Sequence, residues 1–147
     1  MSHSLLLQGS RTQLINQLVY FDEQKKDFLD QYFPNSAKER SKIELLLSVY
    51  SAALEKILGE FNEESLNSTV LIGSRMKISY LEDGFTDSYT IVFPHQAEPN
   101  SNKISFLSPI GLQLLMAKIN ETYQLKISSG EIDVKLQEIM YNNCGYL

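Results

Sequence analysis

Cysteine is almost absent. Cys144, near the C-terminus of the 147 residues, is the sole one, which excludes a disulfide framework and a thiolate metal cage and points to a reducing, cytoplasmic compartment. Histidine is nearly as scarce: His3 and His95 stand far apart, without the i, i+4 spacing or neighbouring cysteines of a metal site, and both read as surface residues. Long apolar runs are missing too. MSHSLLLQGSR holds three consecutive leucines before polar residues return, too few for a signal segment, and nothing approaches membrane-spanning length, so a soluble, unprocessed chain is expected. Neither a phosphate-binding glycine pattern nor a nucleophile elbow occurs, and no self-contained active site, cofactor or metal is expected. Positive charge is in deficit, 13 Lys and Arg against 18 Asp and Glu for a net charge of -5, which argues against a nucleic-acid binder held by phosphate contacts. A protein partner with a basic surface fits better.

What is present is an apolar content of 43%, enough for one sizeable core or a smaller core with an appendage. The pattern favours the second arrangement. Leu14, Leu18, Phe21, Lys25, Phe28 and Tyr32 recur at alternating spacings of four and three, and so do Ile43, Leu47, Tyr50, Leu54, Ile57 and Phe61. Two such seams joined by a short connection predict an antiparallel helical hairpin, a coiled coil filling residues 1–66. Facing Leu14 with Ile57, Phe21 with Tyr50 and Phe28 with Ile43 keeps a single register, and its midpoint falls at Asn35 and Ser36. There the chain independently writes a turn, Pro34-Asn35-Ser36. Each arm would run roughly 30 Å or more. Lys25, the one charge in the first seam, should lie opposite Leu46 and Leu47 with its ammonium reaching towards Glu44. Both seams are satisfied within one chain, so a monomer is expected.

Beyond the polar linker NEESLNS the period changes to two, and residues 67–147 read as an antiparallel sheet with one short helix, an α+β arrangement overall. One strand hairpin pairs Met76 with Phe93, Ile78 with Ile91 and Tyr80 with Tyr89 around Glu82-Asp83-Gly84. A second pairs Tyr123 with Leu136, Leu125 with Val134 and Ile127 with Ile132 around Ser129-Gly130. Between them a strand over residues 103–107 leads to Ser108 as N-cap and Pro109 at the first helical position, with Ile110, Leu114, Leu115 and Ile119 towards the sheet. Gly73 suggests a bulge, and HQAEPNSN an exposed mobile loop.

The hairpin tip is the one place where chemistry could sit. Asp30 and Glu39 lie near it, with Asp27 about a turn further back, and two carboxylates on a rigid finger could carry a magnesium ion into another protein's active site. The bland reading is a capping box, Ser36-Ala37-Lys38-Glu39, in which Glu39 reaches back to the Ser36 backbone while Asp30 is a solvated helix residue. The spacing favours the cap.

The stretch VLIGSRMKISYLEDG, with KISFLSPIGLQLLMAKINETYQLKISSGEIDVKLQEI after it, resembles the C-terminal domain of the Gre transcript-cleavage factors of bacterial RNA polymerase. Its most specific element is Ser108-Pro109-Ile110 between a strand and a short helix. The resemblance implies an FKBP-like domain that docks on the rim of the polymerase secondary channel through Ser108, Pro109 and Ile110, behind a coiled coil that enters the channel. Leu107 stands where that family often has a polar residue. Family members carry an acidic tip that helps to hold the metal activating water for RNA hydrolysis, whereas this tip reads Phe-Pro-Asn-Ser-Ala-Lys-Glu-Arg, with Lys38 and Arg40 flanking the only acid. A non-enzymatic, channel-occupying regulator with weak or no cleavage stimulation is therefore the expectation. The alternatives are a cleavage factor with a rewired tip using Asp30 and Glu39, a protein like the regulator of nucleoside diphosphate kinase, and, on fold analogy alone, a peptidyl-prolyl isomerase.

Overall fold

Two compact units divide the chain between Phe61 and Asn62. A computed structural model describes residues 2–142, with side chains from residue 7 onward, so Cys144 and the His3 side chain lie outside the described residues. Among these, no helix is long and apolar enough to cross a membrane.

The first unit is the expected helical hairpin: α1 (Ser2–Glu23), α2 (Lys25–Tyr32) and α3 (Ala37–Gly59). A bend at Gln24 separates α1 from α2, but the helical bonding crosses it, since Gln24 N donates to the Tyr20 carbonyl at 2.7 Å and Phe28 N to Gln24 at 2.9 Å. The first arm thus starts earlier than the heptad pattern, because its N-terminal turns carry no clean seam. Leu14, Phe21, Phe28, Ile43, Leu47, Tyr50, Leu54 and Ile57 are all buried, as the spacing requires, and so is Leu29. Register is visible in the Phe21 and Tyr50 rings, which meet edge-on at 6.0 Å. The 23 residues of α3 span about 34 Å at 1.5 Å per residue.

Polar side chains pin this seam. Gln17, fully buried, accepts a hydrogen bond from the Tyr50 hydroxyl at 2.7 Å. Lys25 does not reach Glu44. Its ammonium donates to Ser48 Oγ at 3.1 Å, one turn further along α3, because that hydroxyl is already tied to the Glu44 carbonyl and offers a fixed acceptor.

The second unit begins before the expected boundary. Residues that composition placed in a linker form a single helical turn, α4 (Glu63–Leu66), with a reciprocal capping box between Asn62 and Ser65. Leu66 is buried, and Asn67 Oδ1 accepts from the Tyr141 backbone N–H at 2.8 Å, which ties this turn to the sheet and moves the division from residue 66 to Phe61.

Five strands form one sheet in the order β3-β2-β1-β5-β4: β1 (Ser74–Tyr80), β2 (Thr86–Val92), β3 (Lys103–Ser105), β4 (Thr122–Ile127) and β5 (Gly130–Tyr141). The sheet is mixed, which corrects the all-antiparallel expectation: β3 runs parallel to β2. Residues 93–102 make this crossover as two 3-10 turns, Pro94–Gln96 and Pro99–Ser101, held by Asn102 Nδ2 on the Ser88 carbonyl at 3.0 Å, where a mobile loop was expected. His95, exposed as expected, stacks on Phe93.

Both strand hairpins differ in register from the pattern reading. Met76 faces Tyr89 and Ile78 faces Asp87, while Tyr123 faces Val134 and Ile127 faces Gly130. Each slip is even, so the same faces stay buried, and turn geometry decides. In the second hairpin Ser128 and Ser129 make the turn and Gly130, at φ 138, takes the backbone conformation that an L-residue avoids. The bulge expected at Gly73 sits instead where β5 carries an extra residue opposite Lys77 and Ile78; Gly73 is a turn residue at φ 110.

Helix α5 (Pro109–Leu114) follows β3 as expected but ends before Ile119, since Met116 adopts φ 69. Leu114 and Leu115 are buried, and Ile110 and Ile119 only partly so. Phe93 and Phe106 meet edge-on in the core at 5.9 Å.

Candidate functional site

Two groups of residues carry the functional expectations, one in each unit. In the second unit the β3–α5 junction is built around one carbonyl. Ser105 O accepts from the Ser108 backbone at 3.0 Å and from Ser108 Oγ at 2.6 Å, and Ser108 Oγ in turn accepts from Gly111 N at 3.2 Å as the helix N-cap. Pro109 takes the first helical position, where its missing N–H costs nothing. Gly111 is buried so tightly that a methyl group there would run into the Ser105 carbonyl. On the far side, the Gln113 amide clamps α5 to the edge strand β4, donating to the Lys126 carbonyl at 2.9 Å and accepting from its N–H at 2.8 Å.

These bonds settle which atoms face out. Pro109 and Leu112 are exposed, Ser108 and Ile110 half-buried. Residues 105–116 contain no ionisable side chain, so this segment can make contact but cannot move a proton. Gly111, Leu112 and Gln113 were missed from sequence. Gln113 had no signal, because its partner is a strand whose edge position is a property of the sheet.

At the end of the hairpin, Asp30 is paired with two cations. Its carboxylate is gripped by Arg40 from across the turn at 2.7 Å and by Lys26 one helical turn back at 3.0 Å. Hydrogen bonding from Lys26, then from Arg40, holds the Asp30 carboxyl below its ordinary range. Pro34 and Asn35 are exposed at the bend, and Ser36 caps α3 by accepting from Glu39 N at 3.3 Å. The capping box is only half made: the reciprocal bond from the Glu39 side chain to Ser36 is absent among the described residues, and that carboxylate lies exposed. No group of three His, Cys, Asp or Glu able to hold a metal occurs among the described residues.

From Lys25 to Lys42 the tip region holds five cations, Lys25, Lys26, Lys38, Arg40 and Lys42, against Asp27, Asp30 and Glu39. Within a chain of net charge -5 its end is thus locally positive, which repels a divalent cation.

One unit is thus a helical hairpin whose Asp30 is paired with two cations, and the other an α+β unit with an uncharged, partly apolar helix segment. The C-terminal family model for the transcription elongation factors GreA/GreB matches residues 65–141, and the chain belongs to this family. It is similar to transcription elongation factor GreA of Caldanaerobacter subterraneus, 32% identical over 111 residues covering 73% of this chain and 68% of that one. GreA of Wolinella succinogenes is 28% identical over 113 residues, covering 76% and 70%. Among solved structures, the GreA/GreB elongation factor of Nitrosomonas europaea shares the fold, with a TM-score of 0.56 at 19% identity, covering 81% of this chain and 93% of that one.

Proposed function

We propose that this chain is a cytoplasmic, monomeric factor that binds RNA polymerase at the rim of its secondary channel, presents the hairpin to that channel, and modulates elongation with little or no stimulation of transcript cleavage. The observation that carries the reading is the double grip of Lys26 and Arg40 on Asp30. Magnesium is content with one or two carboxylates beside substrate oxygens, and the one acid here that stands close to the turn on the first arm is already neutralised. Docking falls to Ser108, Pro109 and Ile110, whose surroundings are preorganised by the Ser105 carbonyl and the Gln113 clamp, so little order is lost on binding. On this reading the catalytic groups and the metal are the polymerase's.

The experiment pairs two assays on one polymerase preparation. Binding to core polymerase is expected, together with unchanged cleavage of the transcript in stalled, backtracked complexes supplied with magnesium. Faster cleavage would sink the silent tip and revive the rewired one.

The Asp30 grip has its own expected signature. Because its carboxyl is held below the ordinary value of about 3.9, the contact stabilises the hairpin fully above that pH and is lost as pH falls through the depressed value. Asp30→Asn should therefore lower the midpoint of unfolding slightly at neutral pH, with the difference vanishing in strong acid and shrinking in high salt, as for any exposed pair. A difference that persisted in acid would mean that the side chain acts by packing.

A further inference from the structure

The β1–β2 turn holds a large apolar surface that the fold does not use. Phe85 is 72% exposed and Leu81 53% exposed. Neither is left there by looseness. Tyr80 N donates to the Phe85 carbonyl at 2.8 Å, Gly84 N to the Tyr80 carbonyl at 2.8 Å with Gly84 at φ 77, Phe85 N to Asp83 Oδ1 at 3.0 Å, and Leu81 N to the Asp133 carbonyl at 3.0 Å. The Tyr80 hydroxyl closes the base of the turn on Asp87 at 2.6 Å. Both of the turn's large apolar side chains are thus held out on a bonded backbone. A preorganised aromatic in water is costly to keep and well suited to fill a pocket on another protein, since little freedom remains to be lost on binding.

Charge selects the partner. Glu82 and Asp83 stand in the same turn and Asp87 at its base, all three exposed; no Lys or Arg occurs between Lys77 and Lys103, and the neighbouring cation across the sheet is Lys135, opposite Ser79 on β5. An acidic rim disfavours nucleic acid and anionic lipid and complements an apolar pocket bordered by Lys and Arg. We infer that this turn is a second protein-docking element, separate in sequence from the Ser108 segment, and that it inserts Phe85 and Leu81 into a basic-rimmed apolar pocket on the polymerase. This rests on the polymerase reading above.

The test measures the affinity of core polymerase for the full chain and for Phe85→Ser, Glu82→Lys and Pro109→Ala. Phe85→Ser should weaken binding at least about tenfold with little change in circular dichroism and melting, since the ring is largely exposed. Glu82→Lys, whose side chain fixes nothing in the turn, should slow association and flatten its salt dependence. If the wild type binds and Phe85→Ser binds equally well, the turn is not a docking element although the polymerase reading stands. If the wild type does not bind, both fall. Self-association that Phe85→Ser abolishes, with polymerase affinity untouched, would assign the turn to a second copy of this chain and overturn the inference.

Discussion

Gly111→Ala is expected to destabilise the second unit by about 3 kcal/mol, the upper part of the usual range for overpacking a tight site. An added Cβ meets the Ser105 carbonyl oxygen, the Ser108 hydroxyl and the Phe106 Cα, two of them backbone atoms that cannot swing aside. Relief would require α5 to move off β3, and the same Ser105 oxygen holds Ser108 in its capping position. Cap, helix and exposed Pro109 therefore shift together. For a unit of this size the melting temperature should fall by roughly 15 °C, and polymerase affinity should fall with it. Gly59→Ala makes a clean control, because a Cβ there meets nothing within 4 Å. A loss at Gly111 no larger than at Gly59 would show that the junction adjusts easily and that the close approach is not structural.

Tyr50→Ala should remove most of the stability of the helical hairpin, costing about 4 kcal/mol. The ring is fully buried, packs edge-on against Phe21, and its hydroxyl donates to the buried Gln17 amide oxygen. Truncation therefore opens a cavity midway along the seam and takes a donor from a polar group that cannot turn to water. The comparison with Tyr50→Phe separates these effects: the phenyl ring keeps the packing and loses only the hydrogen bond, worth about 1 kcal/mol. A hairpin of some sixty residues has little stability in reserve, so the alanine variant should lose its helical ellipticity at a far lower denaturant concentration. Equal losses for the two variants would mean that the hydrogen bond, and not the ring, carries the register.

The hairpin was legible because its signals repeat. Phe21 opposite Tyr50 follows from heptad spacing and a turn at Pro34-Asn35-Ser36, and one error in such a seam would expose a whole face. Ser108-Pro109 was legible for a local reason: an N-cap hydroxyl and a first-turn proline act within one helical turn. The strand registers were not. Met76 opposite Tyr89 and Met76 opposite Phe93 bury the same faces, and only the turn bonds from Tyr80 to Phe85 and Gly84 choose between them.

At the tip, sequence showed cations flanking Glu39 but not where they would go. Arg40 crosses the turn to Asp30, and Glu39 keeps only its backbone bond to Ser36 while its carboxylate stays exposed. Long exposed side chains have many rotamers of similar energy, so their partners depend on where the other arm ends.

The sequence by itself determined the elements whose information is periodic or local: the two helical seams, the bend between them, the change to period two, and the capped helix after β3. The tertiary structure alone decided the parallel course of β3, the pairing of β1 with β5, the Gln113 clamp on Lys126 and the neutralisation of Asp30. Each of these joins groups far apart along the chain or reaching across a turn, and the residues that form it would be equally content with other partners until the fold closes.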